Sequence, residues 1–352
     1  MMQYCINHRD LHSFCQAVFV SLGVSEFDAC ITADNLIEAE LRGVKSHGVA
    51  RVREYADSLA QALFRPEPHI RITKETAATL AIDGDFALGA VSGTFAMQRC
   101  IAKAKEAGIA FATVKRGRHF GIAGFYAMMA LPEDMIGIAL CNSNPNMSVY
   151  GGTSRVLGTN PICIAVPSQE RYPLVFDAAT SNAAFNRIKN AALEGQAIPA
   201  DWALDRNGNP TTDAKEALIG GVVPFGGYKG SGLAIMVQVL SGVLSGAFLA
   251  ATKNYDGSIK DGVGFFLGAI SIEAFLQKEE FKEGVDALID SLKASRHADK
   301  VNKIYMPGEL EFLRKEENLS RGLILSEAVF HDLPWVREAY KVSHALTSRE
   351  VF

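Results

Sequence analysis

At Thr76 the hydrophobic period of the chain changes, and this change constrains the fold more than any single motif. Before it, apolar residues recur at helical spacing. Leu11, Phe14, Val18 and Leu22 share one face over residues 9–22, and Gly23 ends the run. Ser25, with Asp28 three residues on, reads as the N-cap of a second helix that runs to Leu41 and stops at Gly43. Ser46-His47-Gly48 opens a third, whose period is carried by Val49, Val52, Tyr55 or Ala56, and Leu59 as far as Leu63. Pro66 and Pro68 then mark a linker. After Thr76, short apolar runs alternate with helical ones. Strands are expected at 78–83, 109–114, 135–141, 162–166, 174–176 and 264–272. Between and after them come a helix at 90–107 closed by Gly108, a turn-rich loop at 200–213, an apolar helix at 233–250, an amphipathic helix at 279–297 and a charged helical tail from Glu309. The expected product is an α/β protein. A helical domain of residues 1–75, joined by a C-terminal helical tail (298–352), stands beside a mixed-sheet α/β domain of residues 76–297.

Composition removes whole classes of function. The 352 residues hold 35 Lys and Arg against 39 Asp and Glu, a net charge of −4, with no long block of one sign. Neither nucleic acid nor a membrane surface is expected as the main partner. The segment 233–250 approaches spanning length, but it contains two glycines and Gln238 and follows a glycine-rich loop, so it reads as a buried core helix. The six cysteines, at 5, 15, 30, 100, 141 and 163, form no CxxC and no ligand-like cluster with histidine. That pattern points to reduced thiols in a cytoplasmic protein with no bound metal. Met1 to Asp10 lacks the apolar stretch of a signal peptide.

Chemistry concentrates in the stretch Lys115-Arg116-Gly117-Arg118-His119-Phe120-Gly121-Ile122-Ala123-Gly124. His119 sits at a strand-to-helix turn among glycines, with three cations within four residues. A helix N-terminus at such a turn attracts anions. His47, also beside Gly, is the second acid/base candidate, and Arg51 and Tyr55 share a helix face one turn past it. Both histidines precede helices and have arginines nearby, so both are expected to stay neutral. Asp177, ending an apolar strand, either accepts ribose hydroxyls or caps the next helix. Gly226-Gly227-Tyr228-Lys229-Gly230 offers a cation and flexible backbone at a helix start, which suits a phosphate. It is not a P-loop, because Gly follows the Lys. No Gly-x-Gly-x-x-Gly follows a strand, which excludes the ordinary dinucleotide fold. HExxH and GxSxG motifs are absent as well.

Taken together these pieces resemble the malate/L-lactate dehydrogenase-like oxidoreductases, a group that includes sulfolactate and ureidoglycolate dehydrogenases, diketogulonate reductase and a cyclic-imine carboxylate reductase. The matching segments are Ser46-His47-Gly48, His119 to Gly124, Gly158-Thr159-Asn160-Pro161, Asp177-Ala178-Ala179-Thr180-Ser181, Pro210 to Asp213, Pro224 to Gly230 and Met306-Pro307-Gly308-Glu309. The resemblance spans nearly the whole chain. It implies a homodimer with a non-Rossmann nicotinamide site, with His119 or His47 as proton donor and acceptor and Arg51 and Tyr55 facing substrate. Ser143, Asp177, Ala178, Ala179, Lys229, Gly308 and Glu309 then contact the cofactor. Two positions depart from the family: Asn186 stands where relatives usually carry Gly, and Asn144 where some branches carry an acid.

The activity expected is NAD(P)-dependent interconversion of a small 2-hydroxy acid and its 2-oxo acid, with NAD the preferred cofactor and no metal. Reduction of a cyclic imine, ureidoglycolate or a sugar acid with the same parts is the alternative within enzymes, and a non-catalytic NAD-binding protein is the alternative outside them. His119 is preferred to His47 as the proton donor. It hangs on the layer that holds the nicotinamide, and shared rigidity keeps proton and hydride in register.

Overall fold

The strand Val263–Ser271, buried along almost its whole length, is the middle of the largest sheet. It runs antiparallel to Ile109–Gly117 on one side and to Met135–Cys141 on the other. Its sequence, VGFFLGAIS, is apolar nearly throughout because both of its faces are covered. Outward from it the seven strands continue through Thr79–Asp83 and Arg71–Glu75 at one edge, and through Ile162–Val166 and Leu174–Ala178 at the other. Only Thr79–Asp83 and Ile109–Gly117 pair in parallel. The computed structural model describes residues 3–247 and 263–351. Phe248, Leu249 and Ala250, the end of the expected apolar helix, lie outside them.

The helical region forms as the periodicity demands. Helices His8–Ser21 and Glu26–Leu41 pack together, and Ser25 accepts the Asp28 N–H as N-cap. The core of this region joins Leu11, Phe14, Val18 and Leu36 to Leu325, Leu333 and Val336 of the C-terminal tail. That tail is more than helical. After helix Glu309–Arg321, strands Leu323–Ser326 and Ser348–Val351 flank Gln3–Ile6 in a three-stranded antiparallel sheet. The pairing joins segments some 320 residues apart in the chain, and no local pattern announces it.

Other differences have local causes. The expected third helix begins late: Lys45–His47 and Val49–Arg51 are single 3-10 turns, and the α-helix is only Val52–Ala60. The strand before His119 extends through Lys115 to Gly117 because Val263 pairs with Gly117. The helix after His119 is five residues, Ala123–Ala127, and passes into a 3-10 segment that takes in Pro132. Residues 185–194 and 214–220 are helices, and short strands at 147–148, 155–157, 203–204 and 221–222 make a four-stranded sheet over a third apolar cluster. Asn186 lies inside the first of these helices, so its position asks for no left-handed backbone. Among the described residues no helix is long and apolar enough to cross a membrane.

The short helix after His119 rests on the sheet at backbone contact. A Cβ at Gly137, in strand Met135–Cys141, would collide with the backbone of Ala127. Gly137→Ala is therefore expected to cost about 1–3 kcal/mol or more. Urea denaturation measures it, and an unchanged midpoint would refute the close packing.

Candidate active site

Antiparallel pairing on both sides of Val263–Ser271 makes Ile109–Gly117 and Met135–Cys141 end at the same edge of the sheet. Leu174–Ala178 ends there too, because Ala178 pairs with Ile162 and Ile162 with Leu140. His119, Ser143 and the Asp177–Ala179 turn therefore leave the sheet at one edge, the carboxyl end of their strands, where α/β proteins commonly bind ligands. The 45–51 segment reaches this edge from the helical region. The ring centroids of His47 and His119 are 5.4 Å apart and nearly stacked, and Tyr55 Oη lies 2.5 Å from His119 Nδ1. His47 Nδ1 meets Ser46 Oγ at 2.8 Å. Both Nδ1 atoms are thus held, which leaves the Nε2 atoms for a ligand.

Both rings are half-buried. Loss of water, helped by the Arg51 guanidinium, lowers His47 to about 4. The same burial, with Arg51 and His47 close by, holds His119 well below its ordinary value. Neutral histidines were expected, but the cause differs. No α-helix starts at His47, and the positive field comes from Arg51, not from Arg116 or Arg118. Arg116 is engaged by Asp83, at 2.7 and 2.5 Å, and by Asp85 at 3.4 Å. Arg118 is buried between the rings of Phe64 and Phe86. Lys115, the third cation near His119, makes no ion pair among the described residues. Arg51 donates through Nε to the Ser46 carbonyl and through Nη1 to Glu54, so Nη2 is the nitrogen left for a substrate.

The anion expected at the helix after His119 is the chain's own. Asp177 Oδ2 accepts the Gly124 N–H at 2.6 Å, so Asp177 caps the helix 123–127 and not the one that follows it in sequence. Its surface is exposed, yet the protein packed behind it pushes the carboxyl up to about 6, against the pull of the Gly124 N–H. The other expected cofactor positions divide: Ser143 lies at this end, whereas Gly308 and Glu309 pack by Val175, which is level with Gly137 toward the other end of Met135–Cys141. Ser143 N donates to Asn160 Oδ1, 3.1 Å. Lys229 is exposed at the start of helix Tyr228–Val237. Gly308, at φ +84°, packs on Val175 of the Asp177 strand. Glu309 is buried and committed to Lys293 (2.8 Å), Lys303 (3.2 Å) and the Met306 N–H (3.0 Å). No candidate metal-ligand group among the described residues includes His47 or His119.

Two residues here escaped the sequence reading. Asn160, fully buried and part of what read as an ordinary Asn-Pro turn, ties Ser143 to the Lys229 helix: its Nδ2 donates to the Ala234 carbonyl at 2.9 Å and to Gln238 at 3.2 Å. Glu40 is the second. Its Oε1 accepts the Val49 N–H at 2.9 Å and fills the space a Cβ on Gly48 would need, which fixes the backbone just after His47. A signal existed, since Glu40 continues the buried stripe of Ala29, Ala33 and Leu36, where a carboxylate is costly.

Burial raises Glu40 to about 7, against the Val49 N–H and Lys45. A raised carboxyl stabilises fully below its unfolded value, about 4.5, and that contribution is lost as pH rises through about 7. The histidines act oppositely: their contribution is present above about 6.5 and lost on acidification toward the folded value. They cancel when wild type is compared with Glu40→Gln, which keeps an acceptor for Val49. The variant is expected to match wild type near pH 4.5 and to exceed it at pH 8 by on the order of 3 kcal/mol. Denaturant titrations at several pH values test this, and a difference independent of pH would exclude a buried, titrating Glu40.

With this geometry in place, comparison with known proteins is direct. The family described as malate/L-lactate dehydrogenase matches residues 6–334. A malate dehydrogenase of Pyrococcus horikoshii is 40% identical over 331 residues, 92% of each chain. An L-sulfolactate dehydrogenase of Methanocaldococcus jannaschii is 42% identical over 297 residues, 84% of this chain and 85% of the relative. The solved structure of malate dehydrogenase from Pyrococcus horikoshii OT3 superimposes with a TM-score of 0.88 over 97% of each chain. A chain that shares sequence and fold with these enzymes from end to end belongs to the malate/L-lactate dehydrogenase family.

Proposed function

We propose that the substrate is a small 2-hydroxy acid of malate or lactate type, that NAD is the cofactor ahead of NADP, and that His119 exchanges the proton. The broader activity, nicotinamide-linked oxidoreduction between a hydroxy acid and an oxo acid, comes with the family. The observation that carries the finer reading is the stacked pair His47 and His119 with Arg51 beside it, at the sheet edge where Ser143 and Asp177 emerge. Sulfolactate and malate, named for the relatives, both carry a 2-hydroxy acid and a second anionic group.

The residues present suit a dinucleotide. Asn144 Oδ1, next to Ser143, is buried without a hydrogen-bond partner. Gly226 and Gly227, at φ +54° and +64°, open the ten-residue helix at Lys229; the Gly230 N–H is taken by the Phe225 carbonyl, so the amides offered to a phosphate are those of Tyr228 and Lys229. Lys229 is the single cation of residues 224–232, enough for a pyrophosphate but not for a further 2′-phosphate on the same loop. The bound nicotinamide supplies the acceptor or donor of hydride at C2. Arg51 holds the substrate carboxylate through Nη2. His119 takes the C2 hydroxyl proton at Nε2 in oxidation, which requires Nδ1 to carry its proton toward Tyr55 Oη, 2.5 Å away, in place of accepting the longer contact from the Gly121 N–H at 3.4 Å. A carboxylate on Arg51 offsets the smaller of the two causes that keep both histidines neutral, burial being the larger, and so eases formation of the imidazolium that reduction consumes.

The same reading makes the protein a cytoplasmic homodimer. Leu233, Met236, Val239, Val243 and Leu244 form an exposed apolar row on the helix from Tyr228 onward, a surface that a second copy would cover. The six cysteines are unpaired, as a reducing compartment allows.

The direct test is an NADH- and NADPH-linked absorbance assay over a panel of 2-oxo acids; no turnover with any of them would overturn the substrate class. His119→Asn is expected to lose about 10²–10⁴-fold in kcat, and His47→Asn mainly to raise KM. Steady-state kinetics across pH decides, and the reverse pattern would move the proton to His47. Lys229→Ala should weaken NADH binding in a fluorescence titration without moving the Tm of the protein alone. Equal affinity would remove Lys229 from the cofactor site.

A further inference from the structure

Away from the active site, folding brings together what the sequence keeps apart: the one cysteine that is not buried, a histidine and an aspartate. His8 and His12 lie one turn apart on helix His8–Ser21, and Cys30 and Asp34 one turn apart on helix Glu26–Leu41. The two helices pack side by side through Leu11, Phe14, Cys15 and Val18 against Ala29, Ala33 and Leu36, which sets these polar pairs opposite each other. His12 Nε2 is 2.9 Å from Asp34 Oδ1, and Cys30 Sγ is 3.9 Å from Asp34 Oδ2. One ligand atom from each of His12, Cys30 and Asp34 falls within 4.8 Å of the other two. His8, His12 and Asp34 line a cavity of about 500 Å³, and the Nδ1 of His8 is buried without a hydrogen-bond partner. The Asp34 side chain is 52% exposed and that of His12 is 23% exposed, so the group opens to solvent.

We propose that His12, Cys30 and Asp34 bind a thiophilic divalent cation of the zinc type, with water as the fourth ligand. Imidazole nitrogen, thiolate sulfur and carboxylate oxygen are the donors such an ion takes, at about 2.0–2.3 Å, which places tetrahedral ligand atoms about 3.3–3.8 Å apart. The present separations bracket that range, so rotation of side chains, without backbone movement, closes the site. On binding, the cation replaces the His12–Asp34 hydrogen bond, and the Cys30 thiol releases its proton to solvent. The cation would staple the helix Glu26–Leu41 to its neighbour. That helix also carries Asn35, packed against Gly121 in the loop after His119, and Glu40, which holds the backbone after His47. It is therefore a structural site whose effect reaches both histidines through one rigid element.

The test uses the full, untagged chain stripped with a chelator. Calorimetric titration with Zn²⁺ is expected to show one equivalent per chain with a Kd of about 1 μM or tighter. Cys30→Ser and Asp34→Asn should each weaken it at least about tenfold. Co²⁺ should give the near-ultraviolet thiolate charge-transfer band, which Cys30→Ser abolishes. A readout that needs no variant is the alkylation of the wild-type chain. Cys30 is the thiol expected to react first, since the other five are buried, and saturating Zn²⁺ should slow that reaction at least about tenfold. No binding, no protection of Cys30, or binding of equal strength in both variants would overturn the proposal, the last outcome identifying an adventitious ion only.

Discussion

The antiparallel strand Val263–Ser271 is the constraint on which the rest depends. Were it absent, or parallel to one neighbour and antiparallel to the other, Ile109–Gly117 and Met135–Cys141 would not finish level at one end of the sheet. Its pairing with both, Phe265 with Val114 on one side and with Cys141 on the other, fixes their register to each other. Residue 119 and residue 143 then emerge one strand's width to either side of its start. Asp177 joins them two strands further on through the same ladder. This arrangement replaces the glycine-rich turn of an ordinary dinucleotide fold: backbone hydrogen bonds to a central strand gather the polar groups, with no single loop wrapped round a phosphate.

Local electrostatics around that edge follow from which charges the fold has already used. Arg116 is neutralised by Asp83 and Asp85, Arg118 lies between aromatic rings, and Asp177 ends a helix dipole. Burial lowers His47 and His119, and Arg51, although paired with the exposed Glu54, adds to it. A neutral imidazole beside a cation is poised to charge when an anion arrives, which is the part the proposed function gives to the substrate. Glu40 belongs to the same logic from below. Buried and raised, it makes the His47 turn depend on a hydrogen bond whose partner ionises near neutrality.

Much of this was legible locally. The capping of Glu26–Leu41 by Ser25, the stop at Gly108 and the strands Met135–Cys141 and Ile162–Val166 stand where turn chemistry and hydrophobic period put them. The closeness of Arg51 to His47 was also readable from their spacing, although 3-10 turns and not an α-helix join them, whereas the bond of Tyr55 to His119, 64 residues on, was not. What failed did so for want of local information. Strands of two to four residues, such as Ala203–Leu204 and Leu323–Ser326, are too short for a period to appear. They exist because a distant partner offers hydrogen bonds. The 3-10 turns at 45–51 replace an expected helix because Glu40, nine residues upstream of Val49, claims its N–H.

Sequence by itself determined the class of the fold and the family, and it named His47, His119 and Arg51 as candidates, because these rest on short-range spacing and on motif order along the chain. Tertiary structure alone decided which charges are free. Whether Asp177 faces a ligand or a helix, whether Arg116 meets an anion or Asp83, and whether Cys30 stands alone or beside His12 and Asp34 depend on contacts between residues 18 to 53 positions apart. Proximity of that kind is set by sheet register and helix packing, and neither is written in any one segment.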